Sequence, residues 1–127
     1  VCLGSTAGTI KTVIDDLREK GIKAGLLRIR TFRPFPADEM VKALGRVKAV
    51  AVMDRSMSFG GNGGAVFLEV RHVLYDVQVH PYVVNYIYGL GGRDIQPSDL
   101  ELVFNEALET AETGVVKEKT MFLGVRE

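Results

Sequence analysis

Lys48-Ala49-Val50-Ala51-Val52-Met53-Asp54 carries an unbroken apolar run, Ala49 to Met53, between a cation and a carboxylate. A strand with one face in water would alternate apolar and polar residues. This one does not, so it reads as a strand covered on both faces, at the centre of a parallel sheet. After it, Ser56 to Gly64 is a glycine-rich loop and Ala65 to Tyr75 a helix, with Val66, Val70, Val73 and Leu74 at helical spacing. Tyr82 to Tyr88, β-branched and aromatic, is a further strand that leaves through Gly89 to Ile95. Pro97 opens a last amphipathic helix that stops at Gly114, and the tail from Val115 to Glu127 is expected to dock on a surface.

The same grammar extends upstream. Val1 to Leu3 is the end of a buried strand, and Gly4 to Gly8 is a small-residue turn with N-cap candidates at Ser5 and Thr6. Ile10, Val13, Ile14 and Leu17 mark a helix stopped by Gly21. Ala24 to Arg30 reads as a second strand, Thr31 to Pro36 as a stiff connection, and Ala37 to Leu44 as a short helix ended by Gly45. Strands alternating with helices define the class as α/β, a three-layer α/β/α domain on a mainly parallel sheet of about four strands. The order 2-1-3-4 centres the two most apolar strands and places a switch point between the first and the third.

Composition narrows the function. The 127 residues balance 16 Lys+Arg against 16 Asp+Glu, so no overall field draws the chain to nucleic acid or an anionic membrane. Cys2 is the sole cysteine, which excludes an internal disulfide and a multi-thiolate cluster and makes a reducing cytoplasm the natural location. No charged-then-apolar signal segment and no apolar run of about 20 residues is present. The chain begins without Met inside an apolar run, and is therefore read as one domain, residues 1–127, of a longer protein whose upstream part holds most of the chemistry.

The unusual residues gather where strands hand over to helices, and in a parallel sheet those exits share one edge, where ligands and partners bind. In the loop before the third helix, Gly60, Gly61, Asn62, Gly63 and Gly64 are candidates for an anion-binding nest of backbone N–H groups, or else supply positive φ for a tight turn. Arg28 and Arg30 share a strand face and Arg33 follows in the proline-flanked exit. The three can clamp a carboxylate or phosphate, or form ion pairs with another domain. Asp54 with Arg55, and Arg93 with Asp94, leave their strands at the same edge as interface candidates or as turn and cap residues.

Catalytic and metal patterns are missing. Gly4 to Thr12 fails the phosphate-loop spacing, because Thr9 stands where the second glycine belongs and Lys11 is displaced. His72 and His80 have no ligand spacing to other donors, and Ser5, Ser56 and Ser58 lack a nucleophile elbow. On motifs alone the chain has no catalytic residue and no metal site.

Three segments, Leu27 to Pro36, Val52 to Ser56 and Gly89 to Ile95, in that order, resemble the α chain of pyruvate:ferredoxin oxidoreductase. The opening Gly4-Ser5-Thr6-Ala7-Gly8 and the closing Leu123-Gly124-Val125-Arg126-Glu127 are similar to the same family. The match is to the α chain's C-terminal domain, which is similar in fold to the C-terminal domain of transketolase. Arg33-Pro34-Phe35-Pro36 resembles the pyruvate branch more than the 2-oxoglutarate or indolepyruvate branches. The resemblance implies a full enzyme that interconverts pyruvate and coenzyme A with acetyl-CoA and carbon dioxide, exchanging electrons with ferredoxin. It implies thiamine diphosphate, Mg2+ and iron–sulfur clusters in that enzyme and none on this chain, which lacks the Gly-Asp-Gly…Asn-Asn thiamine signature. Its role is then assembly with the other α-chain domain and the other subunits. Two alternatives stay open: a free-standing anion- or CoA-binding domain, and an oligomerisation module.

Overall fold

A computed structural model describes residues 1–4 and 6–124. The N-cap candidate Ser5 and the closing Val125, Arg126 and Glu127 lie outside the described residues. In chain order the elements are β1 (Cys2–Leu3), α1 (Thr6–Glu19), β2 (Arg28–Ile29), α2 (Ala37–Leu44), β3 (Ala49–Asp54), α3 (Ala65–Leu74), β4 (Tyr82–Ile87), a 3₁₀ turn (Leu90–Gly92), α4 (Pro97–Thr113) and β5 (Thr120–Phe122). β1 pairs with β2, β3 with β4 and β4 with β5, every pair parallel.

The two ladders are stitched at the first residue. Val1 N donates to the Ala51 carbonyl at 2.7 Å, and Met53 N donates back to the Val1 carbonyl at 2.8 Å. That exchange is a parallel bridge centred on Val52, and it sets the order β2-β1-β3-β4-β5. The expected 2-1-3-4 core is therefore present, with one strand added: the tail that was expected to dock on a surface instead supplies β5. Asn85 N donates to Lys119 O at 2.7 Å and Leu123 N to Ile87 O at 2.8 Å, zipping that segment onto β4. A second departure is β2, expected over Ala24 to Arg30 and observed only at Arg28–Ile29. The stretch before Arg28 packs by Ile22, Ala24 and Leu26, and its last residue, Leu27, accepts the Cys2 N–H at 3.1 Å.

Period-two alternation splits the core into two layers around the sheet. Met53, Val84, Tyr86 and Tyr88 meet Ile10, Val13, Ile14 and Leu17 of α1 and Leu100 and Val103 of α4. Ile29, Val50 and Val52 meet Met40 and Leu44 of α2 and Val66, Phe67, Val70 and Leu74 of α3. Each such apolar side chain, removed from water, contributes about 1.5–3 kcal/mol. Helix ends follow local chemistry. Asp99 accepts the Gln96 N–H at 3.0 Å ahead of Pro97, and Gly114 closes α4 at φ +72. Thr6, a candidate N-cap, is buried and bonds through its hydroxyl to the Tyr88 hydroxyl at 2.7 Å.

Candidate functional site at the carboxyl edge of the sheet

Alternation decides which exit residues turn inward. Asp54 follows Val50 and Val52 on the α3 side of β3, and Asn85 lies on the same side of β4, in register with Val52. Both are buried. Asn85 Nδ2 donates to Asp54 Oδ2 at 2.9 Å and to the Val52 carbonyl at 3.0 Å, while its Oδ1 accepts the Gly64 N–H at 2.8 Å. Asp54 in turn accepts the Val66 N–H at 3.0 Å and the Phe67 N–H at 3.1 Å. A carboxylate fixed by two N–H groups at the positive end of a helix is favourably placed. No buried side-chain polar atom among the described residues lacks a partner.

This network takes the Gly64 N–H of the candidate nest together with the Val66 and Phe67 N–H groups of α3. The start of α3 already holds the chain's own anion, and the glycines serve that contact. A Cβ on Gly64 would lie 2.2 Å from Asp54 Cγ, and one on Gly63 would lie 2.5 Å from the Phe67 ring. Gly60 turns at φ +68. Gly61 N donates to Ser58 O at 2.9 Å and Ser58 N to Gly63 O at 2.8 Å, so the loop is closed on itself. Asn62 is exposed and Phe59 stands fully in solvent at the loop's outer turn.

The structure separates the remaining candidates. Arg55, one residue beyond Asp54 and so on the other face, sets its guanidinium 5.2 Å over the Tyr88 ring, against Gly89, whose added Cβ would lie 3.2 Å from Arg55 Nη1. Arg93 donates to the Gly124 carbonyl, and Asp94 beside it is exposed. Arg33 pairs with Glu69 of α3 at 2.7 Å and lies 4.1 Å over the Phe32 ring. Arg28 and Arg30 flank the buried Ile29 and are both exposed. Arg55 therefore rests on Tyr88 and Gly89 while Arg93 reaches Gly124, Asp54 is internal, and Arg33 has a partner within the domain. Sequence reading missed Asn85, Glu69 and Phe59. The signal for Asn85 was present, as the one amide inside the run Tyr82 to Tyr88.

The donor groups described do not fit an iron–sulfur cluster or a bound metal ion. Cys2, the lone cysteine, is wholly buried, and burial pushes its thiol up, away from the thiolate a cluster needs. No group of three or more His, Cys, Asp or Glu among the described residues is arranged to hold a metal ion. No described helix is long and apolar enough to cross a membrane.

Residues 1–100 match the family model described as pyruvate:ferredoxin oxidoreductase core domain II. Pyruvate synthase subunit PorA of Thermotoga maritima is 42% identical over 127 residues, all of this chain and 31% of that protein. Ketoisovalerate oxidoreductase subunit VorA of Pyrococcus furiosus is 40% identical over 94% of this chain and 30% of its own length. The NADH-dependent phenylglyoxylate dehydrogenase subunit alpha of Aromatoleum evansii is 44% identical over 82% of this chain and 25% of its own length. The chain thus spans under a third of these relatives, and by its family match and whole-length identity it belongs to the core domain II family of pyruvate:ferredoxin oxidoreductases.

Proposed function

We propose that the chain is the C-terminal assembly domain of the α-type subunit of a cytoplasmic 2-oxoacid:ferredoxin oxidoreductase, with pyruvate as the 2-oxoacid. In the full enzyme, pyruvate and coenzyme A are converted to acetyl-CoA and carbon dioxide, or the reverse, with ferredoxin as electron partner. Thiamine diphosphate, Mg2+ and iron–sulfur clusters belong to parts outside these residues. The observation that carries this reading is the disposition of the carboxyl edge. Its carboxylate Asp54 is turned inward to brace α3, while Arg55 and Arg93 are left exposed on the rim. Arg28, Arg30 and Asp94 extend that set of interface residues, and no nucleic acid or membrane is involved.

A free-standing anion- or CoA-binding domain has less support, because the Val66 and Phe67 amides are occupied by Asp54. The test is complementation in trans. An oxidoreductase deleted for this region should fail to assemble, and adding the chain should restore both assembly and viologen reduction by pyruvate. The chain alone, given thiamine diphosphate, Mg2+, coenzyme A and pyruvate, should reduce no viologen; turnover by the chain alone would overturn the reading.

A further inference from the structure

The sheet ends at β5, and the way β5 is held fixes which of its backbone groups face outward. Asn85 N donates to Lys119 O and Leu123 N to Ile87 O, so Lys119, Met121 and Leu123 turn their backbone groups to β4. The N–H and C=O groups of Thr120 and Phe122 point the other way, along the outer edge of the sheet. Proteins blunt such edges with a proline, a bulge or a charged side chain on the strand. Thr120-Met121-Phe122-Leu123 carries no proline and no charge, its register with β4 is unbroken, and Phe122 is half exposed.

Beside this edge, α4 and β5 enclose a groove of about 330 Å³ with walls of two kinds. Leu102, Met121 and Leu123 are apolar, while Glu106 and Glu118 bring carboxyl groups. Glu106 is not a loose surface charge: the buried Tyr86 donates its hydroxyl proton to Glu106 Oε2 at 2.6 Å. Tyr86 is in register with Met121, and both belong to the layer that packs on α4, so the carboxylate stands over the last two strands. An apolar channel leading to a fixed carboxylate matches a Lys or Arg side chain, whose methylene stem packs on the walls while its head meets the charge.

We propose that an extended segment from a part of the oxidoreductase outside this chain pairs with the outer edge of β5, and that a Lys or Arg opposite Met121 runs along the groove to Glu106. This deepens the assembly reading and rests on it. A residue opposite Met121 shares its face of the sheet about 4.8 Å further out, within reach of Glu106 for a long basic side chain. Main-chain bonds at such an edge supply affinity, and the side-chain pocket supplies selectivity.

The experiment uses the intact enzyme. A photoreactive phenylalanine analogue at position 122 should crosslink to a segment outside residues 1–127 that carries a Lys or Arg. A crosslink to β5 of a second copy, or no crosslink, would overturn the proposal. Glu106→Gln keeps an acceptor for Tyr86 and removes the charge; it should raise the dissociation constant of assembly about tenfold or more at low salt and less as salt rises. Thr120→Pro removes an outward N–H and none that β4 uses, and should weaken assembly at any salt. Arg126 follows Leu123 by three residues in the sequence, so Arg126→Ala identifies the source of the cation. Additive losses with Glu106→Gln are expected; equal losses that do not add would make Arg126 the occupant and overturn the proposal. If deletion of the whole domain disrupts assembly but either Glu106→Gln or Thr120→Pro leaves it intact, the strand pairing is wrong and the assembly reading stands. If the deletion itself leaves assembly intact, both fall.

Discussion

Asp54 and Asn85 are hydrogen-bonded across neighbouring parallel strands, Nδ2 to Oδ2 at 2.9 Å, and together they pin the first turn of α3 to the sheet. The pair joins three elements through one polar contact. A residue pair of this kind determines where the glycine loop lies, and so what the carboxyl edge presents.

Asp54→Ala should lower stability by about 3 kcal/mol, because the Val66 and Phe67 N–H groups and the Asn85 amide all lose their acceptor in a buried place. Denaturant unfolding measures it. A double-mutant cycle with Asn85→Ala should show coupling of about 1–3 kcal/mol, and independent effects would mean that the two act separately.

Two glycines separate packing from backbone conformation. Gly64 has φ −74, open to any residue, yet Gly64→Ala should destabilise by about 3 kcal/mol because the new Cβ meets the Asp54 carboxylate at 2.2 Å. Gly91 has φ +69 and open space around it, so Gly91→Ala should cost only the strain of the left-handed conformation, about 1–2 kcal/mol. Equal losses at the two positions would refute the account.

Burial, and then the hydrogen bond and negative charge of Glu106, push the Tyr86 hydroxyl far above its usual range; its oxygen donates to Glu106 at 2.6 Å. The unfolded chain releases this proton near pH 10 whereas the folded one keeps it, so above about pH 10 the unfolded state binds fewer protons and stability falls as pH rises. Below that pH the contribution is complete. Thermal melts across pH 9–12 should show the decline, and Tyr86→Phe should flatten it.

The Arg33–Glu69 pair is short, 2.7 Å, but its side chains are 62% and 27% exposed. Solvent screening holds such a pair to about 0–1 kcal/mol. A double-mutant cycle should return a coupling in that range that salt abolishes. A larger, salt-resistant loss of assembly for Arg33→Ala in the intact enzyme would instead show that Arg33 exchanges Glu69 for a partner outside the domain.

Sequence by itself determined the α/β class, the position of every helix and the central place of β3, because those depend on periodicity and on punctuation by glycine and proline within a few residues. Ala49 to Met53 has no polar face to show to water, and only a sheet covered on both sides removes that surface. The loops were also legible as one edge, since parallel strands leave no other arrangement for their exits. What only tertiary structure decided was pairing at a distance. The tail Thr120–Phe122 has no strong strand pattern and becomes β5 because β4 offers it an unpaired ladder. The stretch before Arg28 looks like a strand, yet only Arg28–Ile29 enters the ladder, opposite Cys2 and Leu3. Asp54 and Arg55 are adjacent in the chain and look alike as edge charges. The pleat sends one under α3 and the other onto Tyr88, and the sign of what remains exposed at the edge follows from that alternation, which acquires its inside and outside only when helices cover the sheet.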